Sequence, residues 1–330
     1  MKNFFFQHYY VAVKRLLIKF LMTKKKYFLI VLTRCKNEKF IDDFVKHYLH
    51  EGVDFIHIVD DDSTISYSEY ILTHARVKIH YRNESEFLPL NKFARSIYKK
   101  IRHTAEYMIY CDVDEFITTR KNVSNTIKQE LLTTFKNIDC IKIPWIIMNG
   151  NGNSNPNNLL TEITYRWNHD ERHPNKALAI RNKRNKAPNR LLESMSDRTN
   201  HRENELSKFE CRYDKIECKC IFRPAKFSTI SEHYPKNGVN YVLINSVNLE
   251  KCKLDAFYSN LREKDIKKAY LVCHHYRLVS VENCIDKLKF NKYYNGHTNT
   301  FALEELLASV YLEIKDDTLR IKTLHRDDKD

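Results

Sequence analysis

The apolar run Tyr107-Met108-Ile109-Tyr110-Cys111 stops abruptly at two aspartates, Asp112 and Asp114, and Glu115-Phe116-Ile117 follows at once. If the run is a buried strand, alternation aims both aspartates the same way at its C-terminal end, where open α/β sheets hold their ligands. Two carboxylates there can hold a hard divalent cation, and such a cation can neutralise a diphosphate. Glu115 then serves as a further catalytic carboxylate or as a support for the two. An Asp-x-Asp pair also occurs as a plain polar loop after a strand. The sharp change from apolar to acidic and back is what favours a site. A second acidic tip, Asp60-Asp61-Asp62, ends another apolar run; its bland alternative is a solvated turn with Ser63 as a helix cap.

These groups need a scaffold that brings strand ends together. Residues 27–32 form a continuous apolar strand, and Thr33-Arg34-Cys35-Lys36-Asn37-Glu38 is its polar exit. Phe40, Ile41, Phe44, Val45, Tyr48 and Leu49 recur at helical spacing, with Asn37 as the expected N-cap and Gly52 as the stop. Residues 53–59 are then a second strand. A strand-helix-strand unit of this kind predicts a parallel sheet with its polar tips on one edge. A strand at 77–81, a helix at 90–101 and the strand at 107–111 complete that half. Further on, a helix is expected over 123–135 and a strand over 138–147, whose Trp145 is core or a stacking platform for a ligand ring. Residues 168–208 are strongly polar and read as long loops over the site or as partly disordered sequence. Short strands are expected at 219–222, 227–230, 241–247 and 269–273, the last running into His274-His275, followed by helices at 281–293 and 301–314.

The expected architecture is one α/β domain over residues 26–320, with a nucleotide-binding-type half at 26–120 and a second half at 121–320. A basic amphipathic segment, residues 1–25, precedes it, and a charged tail, 321–330, ends it. The net charge of +14 suits an anionic partner: nucleic acid, anionic lipid or a phosphorylated small molecule. With only five glycines the chain has no G-x-G-x-x-G or Walker A loop to cradle phosphate. The nine cysteines form no disulfide or zinc framework and read as free thiols of a reducing compartment. Lys14, Arg15 and Lys19 interrupt the apolar residues of the N-terminus, so that segment suits a membrane surface or a packed helix better than a span. The expected location is cytoplasmic, or peripheral on the cytoplasmic face of a membrane, ahead of the Golgi or ER lumen.

Several motifs now stand in order. They are the Lys36-Asn37-Glu38 turn, Asp112-Val113-Asp114-Glu115-Phe116, Lys219-Cys220-Ile221-Phe222-Arg223-Pro224, and His275-Tyr276 with Ser280 and Glu282. The series resembles the glycosyltransferase family 92 group and related family-2-like transferases of the GT-A fold, over about residues 28–290. Where that pattern has lysine before the serine, this chain has Arg277-Leu278-Val279, and Asn283 stands in place of the second glutamate. The resemblance implies a Rossmann-like, mixed but mainly parallel sheet flanked by helices. It implies a transferase that moves a sugar from a nucleotide sugar, of the UDP class, to a glycan or glycosylated acceptor, with inversion. Thr33 and Arg34, with Asn37 and Glu38, would line the nucleotide pocket, and one of Asp60, Asp61 and Asp62 would contact uracil or ribose. Asp114 would bind Mn²⁺ or Mg²⁺ directly, Asp112 would lie against the ribose or the metal, His275 is the candidate third ligand, and Lys219 and Arg223 would serve the diphosphate or hold the flexible loop.

Inversion needs a base for the acceptor hydroxyl. The candidates are Asp170, Glu171, His173 and Asp197 in the polar stretch, and Glu232 and His233 at a strand edge. Two further hypotheses compete with the transferase. A dehalogenase-type phosphatase also uses Asp-x-Asp, but near its first strand and without Phe116 two residues past the second aspartate. A basic nucleic-acid-binding protein would explain the charge but not acidic strand tips, which repel phosphate unless a metal intervenes; nucleic acid is therefore not the expected partner. A non-catalytic transferase-like protein remains the third alternative.

Overall fold

The fold is taken from a computed structural model, which describes residues 25–82, 89–149, 155–167, 215–259, 261–276, 279–280, 282–283 and 313–327. The first half runs β1 (Tyr27–Cys35), α1 (Ile41–His50), β2 (Phe55–Asp60), α2 (Glu69–Thr73), β3 (Val77–Tyr81), α3 (Leu90–Ile101) and β4 (Ala105–Asp112). Strands β3, β2, β1 and β4 lie side by side in that order, all parallel. Their apolar residues alternate between two cores. Leu29 and Val31 of β1 join Phe44, Val45 and Tyr48 of α1 on one face. Ile30 and Leu32 join Phe93, Ala94, Ile97 and Tyr98 of α3 on the other. A strand covered on both faces must be apolar throughout, which is why β1 and β4 read as unbroken runs.

The second half adds β5 (Glu115–Thr119), α4 (Ile127–Leu132), β6 (Cys140–Asn149), α5 (Leu159–Glu162), β7 (Tyr165–Trp167), β8 (Lys215–Phe222), β9 (Phe227–Ile230), β10 (Pro235–Gly238), β11 (Leu243–Asn245) and β12 (Phe257–Ser259). Then come α6 (Glu263–Lys268), β13 (Leu271–His275), β14 (Glu313–Lys315) and α7 (Thr318–Asp327). Strand β8 runs antiparallel between β4 and β6, and β13 lies between β5 and β6. The protein is thus mixed α/β with one large mixed sheet. The expectation of a mainly parallel sheet is corrected: parallel pairing holds β1 to β4, and β11 and β13 on β6, while the other pairs are antiparallel.

Local details differ from the sequence expectations for identifiable reasons. Gly52 does stop α1, at φ +87°, where a side chain would also meet Lys128 Cβ at 2.6 Å. Asn37 is not the helix cap. It sits at φ +53° and its Oδ1 accepts from Thr64 N (2.7 Å) and Ile65 N (3.2 Å), tying the β1 exit to the β2 exit. The helix expected over 123–135 shortens to α4, begun by a Thr126–Gln129 capping box, because Asn122 and Asn125 turn back to Glu130. Residues 313–315 are strand β14 instead of a helix end, and α7 occupies most of the expected tail. The remainder of the helices expected at 281–293 and 301–314, the segment 1–24 and the polar stretch 168–208 lie outside the described residues. Seven cysteines among the described residues are free thiols, six of them buried. No helix among the described residues is long and apolar enough to cross a membrane.

Candidate functional site

Strand β4 ends at Asp112, Val113 and Asp114 form a turn, and Glu115 begins β5. The two aspartates therefore share an edge through the turn, not through strand alternation as expected. Arg34 and Asp112 are register partners on the parallel strands β1 and β4. That pairing lets the Arg34 Nε and Nη2 donate to Asp112 Oδ1 at 3.0 and 2.6 Å. From β8, the Lys219 ammonium lies 2.9 Å from Glu115 Oε2 and 3.7 Å from Asp112 Oδ2, and donates to the Glu232 carbonyl at 2.7 Å. Glu115 Oε2 also accepts from the Asp112 backbone N at 2.8 Å. Lys219 is only 1% exposed; of its two expected roles, an open diphosphate ligand or a holder of a loop, its burial suits the second, since it tethers the turn and the loop carrying Glu232.

The charge balance of this edge is uneven. Three carboxyl groups, Asp112, Asp114 and Glu115, face two cations, Arg34 and Lys219. Burial raises the Asp112 pKa, but Arg34 and Lys219 outweigh it and hold the group below the usual carboxylate range. Glu115, 1% exposed, pays for the imbalance: burial, together with Asp112 and Asp114, pushes its pKa up to about 8 against the pull of Lys219. Burial, more than its acidic neighbours, thus holds the Glu115 carboxyl above the usual carboxylate range.

Strand β13 pairs with β5 so that His275 faces Glu115, and with β6 so that Cys273 faces Trp145. His275 Nε2 comes to 3.5 Å from Asp114 Oδ1, and the Tyr276 N donates to the Asp114 carbonyl at 2.7 Å. Trp145 stacks on the His275 ring at 4.0 Å between centroids and meets the His233 ring edge-on at 6.1 Å. With 7% of its surface exposed, Trp145 is a packing wall behind His275. His233 Nδ1 lies 3.1 Å from the Cys218 carbonyl, which can only accept, so Nδ1 carries the proton and Nε2 keeps a lone pair. Burial, with Lys219 nearby, lowers the His233 pKa and favours the neutral ring.

As a metal site, the donors are fewer than expected. Among the described residues no group of three His, Cys, Asp or Glu side chains is spaced to hold an ion. Asp114 and His275 converge, whereas Asp112 is engaged by Arg34 and Lys219. One carboxylate and one imidazole suit Mn²⁺ or Mg²⁺ only if other oxygens complete the shell, which is how Mg²⁺ sites commonly use substrate phosphates.

The remaining expected residues divide. Thr33 is fully buried beside Arg34, which also donates to Asn91 Oδ1 at 2.8 Å and lies 3.4 Å from Glu232 Oε1. Glu38 is half-buried in the turn after β1. Asp60 is buried and accepts from Tyr67 Oη (2.6 Å) and Ser63 N (3.2 Å), so it shapes its loop. Asp61 pairs with Arg82, and Asp62 is exposed at φ +59°. Arg223 is not in the site. It ends up beyond the far end of β8, paired with Glu106 and 3.6 Å from Asp139, because β8 runs antiparallel and carries its C-terminus away from Asp112. Of the base candidates, Glu232 and His233 stand at the site, while Asp170, Glu171, His173 and Asp197 lie outside the described residues. Sequence reasoning missed Asn91, and it missed the buried cluster around His274, whose members Arg120, Arg166, Glu263 and Asp316 have no shared local pattern. No protein-family model matches this chain, and a search of curated proteins finds no match.

Proposed function

We propose that the protein is a metal-dependent glycosyltransferase that moves a sugar from a nucleotide sugar, of the UDP class, to a glycan or glycosylated acceptor. The observation that carries this reading is the acidic turn at the C-terminal edge of the parallel β3-β2-β1-β4 unit, three carboxyls against two cations, with His275 brought to Asp114. The strand order, continued by antiparallel β8 and then β6, fits the GT-A fold that the motifs resemble.

Asp114 and His275 would hold Mn²⁺ or Mg²⁺, which would supply positive charge for the departing diphosphate. Arg34, half open at 17% side-chain exposure, can shift part of its hydrogen bonding from Asp112 to a phosphate oxygen. Lys219 keeps the turn in place from beneath and compensates Glu115. Inversion requires removal of the acceptor hydroxyl proton as the anomeric bond breaks, and His233 Nε2 and the exposed Glu232 carboxylate are the bases on hand. The basic N-terminal segment would hold the enzyme against an anionic membrane surface.

Calorimetry of UDP with Mn²⁺, with EDTA, and with Asp114→Ala tests the donor site. Micromolar binding that needs both the ion and Asp114 is the expected result. Absence of binding to any nucleoside diphosphate rejects the donor site, and binding without sugar transfer or hydrolysis of any UDP-sugar identifies a non-catalytic relative.

A further inference from the structure

The opposite end of the same strands carries a second charged concavity. A cavity of about 400 Å³ opens at the N-terminal ends of β1 and β4, lined by Lys25, Lys26, Lys136 and Arg223, with Glu106 as the one acidic residue. Tyr27, Phe28 and Tyr107 supply its aromatic walls. Seven residues of β1 separate Tyr27 from Arg34, so the cavity is roughly 23 Å from the acidic turn. It shares no residue with that site.

The pairing inside it leaves positive charge over. Lys25 and Arg223 both spend themselves on Glu106, Lys25 at 2.7 Å. Arg223 lies over the Tyr107 ring at 4.9 Å and donates to its hydroxyl at 3.1 Å. Lys26 and Lys136 are exposed and have no carboxylate partner among the described residues. Four cations against one carboxylate, around aromatic faces, match a ligand that joins a phosphate to an apolar or ring-bearing body. The position also gives Arg223 a role that the acidic turn does not.

We propose that this cavity is a separate anion site that takes a phosphate-bearing group, either a soluble phosphoester or the headgroup of an anionic phospholipid. Its test uses the full chain and two probes: glycerol 3-phosphate by calorimetry, and co-sedimentation with phosphatidylcholine vesicles with and without phosphatidic acid. Lys26→Glu/Lys136→Glu reverses the two cations that hold no ion pair. Lys267→Glu/Lys268→Glu makes the same charge change on the exposed end of α6. The expected result is at least about tenfold weaker binding in the first double variant and wild-type binding in the second, since each basic residue near an anionic surface contributes about fivefold. Response to glycerol 3-phosphate assigns a soluble ligand; response to acidic vesicles alone, lost in the first double variant and kept in the second, assigns a headgroup. Binding of neither probe, or equal weakening in both variants, overturns the proposal. UDP binding that needs Mn²⁺ and Asp114, read in the same samples, reports on the acidic turn, so failure of either site is seen independently of the other.

Discussion

Two charged clusters meet on β13, one through each of its adjacent histidines. His275 reaches the acidic turn, while His274 Nε2 lies 3.5 Å from Asp316 Oδ1 in a cluster with Arg166, Glu263 and Arg120. In the second cluster Arg166, 1% exposed, is held by both oxygens of Glu263 and donates its Nε to Asp316 at 2.6 Å, and Arg120 also pairs with Asp316. Two guanidinium groups face two carboxylates there, and the cluster is sealed. The turn has one carboxyl too many and keeps the Asp112 side chain 36% exposed. Similar residue types thus stand in different settings: balanced and sealed, they join β7, α6, β13 and the C-terminal segment; unbalanced and open, they form the proposed cation site.

Breaking the sealed cluster should have the largest effect. Asp316→Ala leaves two guanidinium groups without a shared counter-ion and should lower stability by about 3–5 kcal/mol in urea unfolding. A loss under 1 kcal/mol would mean that water reaches the cluster and the contrast is false. Lys219→Met comes next, at about 3 kcal/mol, because it removes the buried ammonium shared by Glu115, Asp112 and the Glu232 carbonyl. Adding Glu115→Gln should recover much of that loss, and a double-mutant cycle with no coupling would remove Lys219 as the tether of the turn.

The pH dependence of unfolding separates the clusters by sign. Burial lowers the His274 pKa, so the unfolded chain binds that proton more readily, and the stabilisation, complete above about pH 6.5, is lost as pH falls. His57 and His80, lowered by burial to about 3 and about 4, add to the same acid-side loss. Glu115 runs the other way. Its folded pKa, raised to about 8, makes its contribution complete below the ordinary carboxylate range and lost as pH rises through about 8. Stability should therefore decline on both sides of about pH 6.5, by up to about 1.4 kcal/mol per pH unit for each group. Glu115→Gln should flatten the decline between about pH 6.5 and 8 and steepen the acid-side loss between about pH 4.5 and 6.5, and His57→Gln should weaken only the acid side. The smallest effect belongs to Asp114→Ala, which should unfold within about 1 kcal/mol of the parent while losing metal-dependent UDP binding.

The parallel half was legible because β1, β2 and β4 are covered on two faces and the helices on one, so burial writes itself into local apolar spacing. β3 and α3 sit within the expected limits, and β1 and β4 extend theirs by a few residues. The acidic turn was legible too, though the wrong geometry was inferred for it: β5 begins at Glu115 and pairs with β13, a partner distant in sequence. Lys219 and Arg223 stand close together in one motif, yet the antiparallel run of β8 sends them to opposite ends of the sheet. Arg166 and Asp316 carried no signal, since a buried arginine is recognisable only when its carboxylates, supplied by other elements, are known.

The adjacency of His274 and His275 has an evolutionary consequence. Drift at Asp316 or Arg166, residues that touch no candidate ligand, would be sensed at the acidic turn through a shared strand only five residues long. Selection on activity would then police the sealed cluster as strictly as the site itself. A mutational survey scored by turnover would draw one continuous map of essential positions across both, and only a parallel measure of folded protein would divide that map in two.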